Sequence, residues 1–170
     1  MVKWTGCIAA PGRWNVRKEG GLMTGVSEEY EPSTRRILVV EDNHTVSDLI
    51  VEILKSLGFE NISCASDGLQ AWSLFEDGAL FDLVICDWMM PNMNGLDVLK
   101  QLRSSHSNVP FIMISGVAAD DAIAEAQTYG VTAFVPKPFE VSQLVKAVTE
   151  SLAEYDAHPD RTDDSNVWEI

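Results

Sequence analysis

The sequence predicts an α/β fold in which five parallel strands and five helices alternate to form a doubly wound sheet. Short apolar runs suited to strands covered on both faces, such as Leu83 to Cys86, alternate with segments whose apolar residues recur at helical spacing. Each apolar run ends at polar or turn-forming residues. Because strands joined by helical crossovers run parallel with right-handed connections, this (βα)5 alternation indicates a single doubly wound sheet.

The first half of the chain contains three strands and two helices. Apolar runs predict strands at 36–40 and 83–87, and alternating residues predict a short strand at 62–64. Helical spacing predicts helices at 46–57, which ends before a glycine, and at 69–75.

The second half repeats the alternation. A helix is expected at 96–102 after a Pro-containing and Gly-containing loop, and buried strands are expected at 109–114 and 131–135. A weaker apolar pattern predicts a helix at 120–127, and a stronger one predicts the last helix at 141–154. No internal repeat or second domain is evident.

Length and composition limit the domain organisation. With 170 residues and 46% hydrophobic content, the chain can build one core of ordinary size with tails. We expect a disordered N-terminal extension at 1–34, a folded domain at 35–155 and an acidic C-terminal tail at 156–170. Met23 opens a second polar stretch, so the first 22 residues are interpreted as an extension upstream of a natural start at that methionine.

Charge and cysteine content point to a cytoplasmic protein. Lys and Arg number 12 against 26 Asp and Glu, which gives a net charge of −14 and disfavours binding to nucleic acid or anionic membranes. The three cysteines, Cys7, Cys64 and Cys86, show no pairing pattern, as is typical of a reducing compartment. No apolar run is long enough for a membrane span, and no signal peptide is evident.

Polar side chains follow four of the predicted strands at the point where each strand ends. They are Glu41 and Asp42, Asp87, Ser115, and Lys137. In a parallel sheet the carboxyl ends of the strands share one edge, which is where ligands bind. A helix cap, a turn or a solvated charge explains any one of these residues, but it explains their joint placement poorly.

This set of side chains suits phosphoryl transfer. Crowded carboxylates retain a proton or recruit a hard cation such as Mg²⁺, which also bridges to phosphate oxygens. Aspartate is a covalent acceptor of phosphoryl groups, Lys137 supplies positive charge, and the Ser115 hydroxyl can donate to a phosphoryl oxygen. The chain has no Gly-rich phosphate loop after a strand, no paired Cys or His metal spacing and no nucleophile elbow.

These motifs resemble the receiver domain of two-component response regulators over about residues 36–155. The matching residues are Glu41-Asp42, Asp87 with Met90-Pro91 and Gly95, Ser115, and Lys137-Pro138-Phe139. The run from Asp87 to Met93 is particularly similar to the single-domain chemotaxis type. The resemblance implies a flavodoxin-like sheet with strand order 2-1-3-4-5.

The resemblance also implies the roles of the acidic residues. Asp87 would be the phosphoacceptor, taking its phosphoryl group from a phosphohistidine on a sensor histidine kinase or histidine phosphotransfer protein. Mg²⁺ would be bound by the side chains of Asp42 and Asp87, by the backbone carbonyl of Met89 and by Glu41 through water. Such a protein would catalyse only its own phosphorylation and dephosphorylation, and would not be an enzyme acting on other substrates.

The implied switch lies on the other half of the sheet. Lys137 would pair with the phosphoryl group and precede a cis proline, and Ser115 and Phe134 match the family's switch pair. A downstream target protein would dock on the face formed by helix 120–127, strand 131–135 and helix 141–154. Because only an acidic tail follows the domain, output is expected through protein contact.

The chain departs from the family pattern at several positions. Glu41 stands where many relatives have Asp, and Phe134 replaces the Tyr of the chemotaxis type. Met89 and Val117 are apolar where the chemotaxis type has polar residues, which predicts a long-lived phosphoryl group. A phosphorylation-independent receiver-like scaffold and a metal-dependent phosphohydrolase remain the alternative functions.

Overall fold

The computed structural model describes residues 31–105, 107–116 and 120–157, and the side chains of all of these except 120–122. Most of the predicted N-terminal extension and acidic tail, together with Met23, Val117 and Cys7, lies outside the described residues. Pro32–Thr34, at the end of the predicted extension, form a 3-10 turn. The Asn61 side chain donates to the Ser33 carbonyl at 2.6 Å, so this turn contacts the body of the domain.

Five parallel strands form one sheet in the order β2-β1-β3-β4-β5, which confirms the predicted topology. The strands are β1 Arg36–Val40, β2 Asn61–Ala65, β3 Leu83–Asp87, β4 Phe111–Ser115 and β5 Ala133–Pro136. The helices are α1 His44–Ser56, α2 Gly68–Glu76, α3 Gly95–Ser104, α4 Asp120–Thr128 and α5 Val141–Asp156.

Hydrophobic layers cover both faces of the sheet. On one face, Ile50 of α1 and Leu144 of α5 pack with strand residues such as Ile85. On the other face, residues of α2, α3 and α4, among them Leu99 of α3, pack against strand residues such as Val84. Every residue of β3 is buried, as its continuous apolar run predicted. The strand that carries Asp87 is therefore the centre of the fold.

Strands β4 and β5 each begin two residues later and end one residue later than the sequence predicted. Pro110 has no N–H to donate, although its carbonyl still accepts from Val84 N at 2.9 Å. Val131 donates to the Ala126 carbonyl at 3.1 Å, so its N–H closes the last turn of α4. Apolar character predicts strands through both segments, but Pro110 cannot donate and the Val131 N–H is used by α4, so regular strand pairing begins two residues later.

Side-chain caps fix where three helices begin. Asn43 accepts from the backbone N–H groups of the first turn of α1, Asp67 caps α2, and Asn94 caps α3. Each cap lies within a few residues of a strand end, so the helices start close to the carboxyl edge of the sheet. Within the described ranges, no helix is long and apolar enough to cross a membrane.

Candidate functional site

Three carboxylates meet at the carboxyl ends of two neighbouring strands. Glu41 and Asp42 follow β1, and Asp87 is the last residue of the adjacent β3. One ligand oxygen from each of the three lies within 4.8 Å of the others. Glu41 and Asp87 are buried, whereas Asp42 is exposed at the rim of the cluster. The structure therefore brings together the acids that the sequence placed on separate strand ends.

Lys137 reaches into this cluster from the loop after β5. Its Nζ lies 2.7 Å from Glu41 Oε2 and 2.8 Å from Asp87 Oδ2, so one ammonium bridges two carboxylates. The Lys137 backbone N–H donates to the Ser115 carbonyl at 2.7 Å, and the Lys137-Pro138 peptide bond is cis. The sequence indicated a cation at this edge, but it could not show that Glu41 is also its partner.

Burial and the contacts within the cluster shift the pKa values of its side chains. Burial raises the pKa of Glu41 above its ordinary value, and this effect outweighs the opposing hydrogen bond from Lys137. Burial lowers the pKa of Lys137, but hydrogen bonds to Asp87 and Glu41 outweigh it and leave the pKa raised. Burial also raises the pKa of Cys86 well above its usual range, which keeps this thiol protonated and unreactive.

The two predicted switch residues lie on the neighbouring strands. Ser115 ends β4 and is buried with 8% exposure. Phe134 lies in β5 and is partly buried against the layer formed by α2, α3 and α4. Phe134 therefore lies on the face of the sheet that α4 covers.

The loop from 88 to 94 connects the cluster to α3. Met89 is 61% exposed, and its N–H points at Asp87 Oδ1 with an N–O distance of 3.4 Å. A Cβ on Gly95 would collide with the Asp87 carbonyl oxygen, so only glycine lets the start of α3 approach β3 this closely. Gly95 belongs to the motif that follows Asp87, but its close approach to β3 leaves no signal in the sequence.

Asn92, in the middle of this loop, contacts Asp67 in a way that the sequence did not predict. Asn92 donates from Nδ2 to Asp67 Oδ2 at 2.9 Å and has a left-handed backbone with φ of 65°. Asp67 lies two residues before the helix predicted at 69–75, a position that by itself indicates only a helix cap. A contact between residues 25 positions apart leaves no periodic signal in a single sequence.

The donor set fits a hard divalent cation. Carboxylate and carbonyl oxygens are the ligands that Mg²⁺ prefers, and three carboxylates within 4.8 Å offer enough negative charge to bind it. Two of the three acids are held by hydrogen bonds to neighbouring backbone N–H groups, from Asn43 to Glu41 at 3.2 Å and from Met89 to Asp87 at 3.4 Å.

Comparison with known families identifies the class of protein. The family described as the response regulator receiver domain matches residues 37–149. The chain belongs to this family. Receiver domains of this kind are non-catalytic phosphoacceptors that bind Mg²⁺ through an acidic pocket, and membership implies a histidine kinase partner and a downstream target.

The individual relatives are of the chemotaxis type. Chemotaxis protein CheY-3 of Vibrio cholerae is 38% identical over 111 residues, which cover 64% of this chain and 85% of that protein. Chemotaxis protein CheY of Pseudomonas aeruginosa is 36% identical over 121 residues, covering 70% of this chain and 96% of that protein. The sequence-based recognition of a receiver similar to the single-domain chemotaxis type is thereby confirmed.

Solved structures agree on the fold. The receiver domain of the Francisella response regulator 1452 has a TM-score of 0.66 and 26% identity, covering 72% of this chain and 99% of that chain. A LuxR-family DNA-binding response regulator of Staphylococcus aureus has a TM-score of 0.64 and 27% identity, with coverages of 69% and 98%. A CheY-like receiver of Methanospirillum hungatei shares the fold with a TM-score of 0.68 at 24% identity.

Proposed function

We propose that this chain is a response regulator that accepts a phosphoryl group on Asp87 and signals through phosphorylation-dependent protein binding. The observation that carries the proposal is the ammonium of Lys137, 2.7 Å from Glu41 and 2.8 Å from Asp87, inside a cluster of three carboxylates. Buried charges are costly, so a fold that needed only stability would not place a cation and three acids together at one edge of its sheet.

The proposed chemistry is an in-line transfer. An oxygen of the Asp87 carboxylate attacks phosphorus, the phosphorus–nitrogen bond of a phosphohistidine breaks, and its electron pair returns to the imidazole of the donor protein. The donor is a sensor histidine kinase or a histidine phosphotransfer protein. Asp87 is 6% exposed, so a donor group reaches it only along the open side of the site.

Mg²⁺ is the proposed cofactor, which would be held by the Asp42 and Asp87 side chains, the Met89 carbonyl and Glu41 through water. When bound, it would supply positive charge to the phosphoryl oxygens. Lys137 contributes a second positive charge to the same oxygens. Since Lys137 now contacts both Glu41 and Asp87, phosphorylation gives it a new anionic partner and redistributes its hydrogen bonds.

The proposed output surface is formed by α4, β5 and α5. The Ser115 hydroxyl moves toward the phosphoryl group, and Phe134 turns inward into the space it vacates. Phe134 already packs against the layer that includes Ala126 of α4, so its movement changes the surface on which a target protein docks.

The test is phosphorylation by acetyl phosphate in Mg²⁺, read by intact mass. The proposal predicts one phosphoryl adduct on the wild-type chain and none on Asp87→Asn. Asp48→Asn, a matched change of an exposed acid on α1, is expected to accept the group normally.

Two other outcomes would replace the proposal. A wild-type chain that gains no adduct while remaining folded would be a phosphorylation-independent scaffold. Release of inorganic phosphate without an accumulating adduct would indicate a metal-dependent phosphohydrolase.

A further inference from the structure

A hydrogen bond joins the middle of the loop from 88 to 94 to the start of α2. Asn92 Nδ2 donates to Asp67 Oδ2 at 2.9 Å. The other oxygen of the same carboxylate accepts from Gln70 N at 2.8 Å and caps α2. One aspartate thus joins a helix N-terminus to the loop that begins beside Asp87.

The backbones meet at the same point. A Cβ on Gly68 would lie 2.5 Å from the Met93 carbonyl oxygen and 2.8 Å from Met93 Cβ, so a larger residue would push the loop away. Met93 N also donates to the Pro91 carbonyl at 2.7 Å, which makes the turn at Asn92 tight. With φ of 65° at Asn92, this hydrogen bond closes a three-residue γ-turn, and the positive φ favours Gly or Asn over other residues.

The two ends of the loop are held by contacts that do not involve Asn92. Trp88 N donates to the Ile114 carbonyl of β4 at 2.8 Å, and Gly95 N donates to the Trp88 carbonyl at 3.1 Å. Met89 lies between this anchored end and the Asn92 contact, with its N–H directed at Asp87. The path of the backbone at Met89 therefore depends on where Asn92 is held.

We propose that Asn92 is a positioning residue that, through Asp67, sets the backbone at Met89 and thereby the affinity of the acidic site for Mg²⁺. The inference rests on the proposed function in one respect, the use of the Met89 carbonyl as a ligand. Mg²⁺ demands near-ideal octahedral geometry, so a carbonyl that must be ordered on binding weakens the affinity. The Asn92–Asp67 contact orders it beforehand.

Two substitutions remove the contact from opposite sides. Asn92→Gly keeps the left-handed backbone accessible but removes the donor. Asp67→Ser keeps a good helix cap but removes the second oxygen. Each is expected to weaken Mg²⁺ binding by about fivefold, the range expected for loss of one hydrogen bond. Because both break the same contact, the double variant is expected to bind no more weakly than either single variant.

Calorimetric titration of the unphosphorylated full chain with Mg²⁺ alone measures this affinity. Asn61→Gly is the control, since it removes another exposed asparagine contact, the one to the Ser33 carbonyl, at the opposite end of the strands. The control is expected to lower Tm at least as much as Asn92→Gly while leaving Mg²⁺ affinity unchanged. That difference separates positioning from a loss of stability.

Three results would overturn the inference. Unchanged affinity in Asn92→Gly and Asp67→Ser, with normal wild-type binding, would refute the positioning role and leave the proposed function intact. Losses that add fully in the double variant would show that the two residues act separately. A wild-type chain that binds no Mg²⁺ would overturn the inference and the proposed metal site together.

Discussion

Lys137 holds two buried acids beside each other at the site. Its ammonium offsets the repulsion between the Glu41 and Asp87 carboxylates. Burial already raises the pKa of Glu41, so loss of this positive charge would disfavour the ionised carboxylate further. The pKa of Lys137 is raised in the folded protein, so folding favours the charged ammonium. The ammonium therefore stabilises the fold below the ordinary lysine pKa of 10.5, and this stabilisation is lost as the pH rises through the raised pKa.

We therefore expect Lys137→Met to destabilise the metal-free protein at pH 8 by about 2 kcal/mol, as for hydrogen bonds to charged groups. The difference from wild type should shrink as the pH rises above 10.5. Urea unfolding in EDTA at several pH values measures it. Lys146→Met, which changes an exposed lysine 3.8 Å from Glu150, is the control. A difference that stays constant up to the highest pH would contradict the account.

Met89 is expected to set the lifetime of the phosphoryl group together with Val117. An apolar side chain cannot orient the attacking water by hydrogen bonding, and Met89 is 61% exposed beside the acid. The double substitution Met89→Asn and Val117→Glu should speed autodephosphorylation by about tenfold, which corresponds to a decrease of about 1.4 kcal/mol in the barrier.

Decay of radiolabelled phosphoprotein in excess Mg²⁺ gives the rate. Leu80→Asn, at an exposed apolar position on another loop, should leave the rate unchanged. An unchanged or slower decay in the double variant would show that these two positions do not control access of water.

At the scale of elements, α3 depends on the absence of a side chain at its first residue. Gly95→Ala places a Cβ against the Asp87 carbonyl, so α3 or β3 must shift. We expect a loss of about 1–3 kcal/mol in the free energy of unfolding, as for other overpacked sites. Gly116→Ala is the matched control, because among the described residues its Cβ would approach Lys137 Cβ alone, at 3.9 Å. Equal stability of the two variants in urea unfolding would refute the argument.

The α4, β5 and α5 elements form the face on which we expect a target to dock. At its edge, Lys100 Nζ lies 2.7 Å from Glu125, and Arg103 donates to the Gly130 carbonyl at 3.0 Å, so polar contacts tie α4 and its terminal turn to α3. Exposed ion pairs contribute little to stability, so α4 can lose such contacts at low cost when a target docks.

Amide exchange with and without beryllofluoride and Mg²⁺ tests whether this face responds to the site. We expect changed protection in α4, β5 and the start of α5. The same experiment on Asp87→Asn is the control and should show no change. Protection changes confined to α1 would argue against this output face.

For the whole molecule, the order of the elements and the placement of acids at strand ends could be predicted from the sequence, because most buried strands are continuous apolar runs. Asp87 interrupts such a run, so its place at a strand end could be predicted. The start of β5 could not, because the N–H of Val131 is used by the last turn of α4. The Asn92–Asp67 contact joins two loops that meet only in the folded chain, and single-sequence patterns do not report such pairs.

Chemical trapping of the phosphoryl group tests directly whether Asp87 is the phosphoacceptor. After phosphorylation with acetyl phosphate and Mg²⁺, borohydride reduces an aspartyl phosphate to homoserine, and tandem mass spectrometry of the peptides locates it. We predict homoserine at position 87 alone, and none in a sample never exposed to acetyl phosphate. Homoserine at Asp42 or another carboxylate, with Asp87 unmodified, would contradict the account.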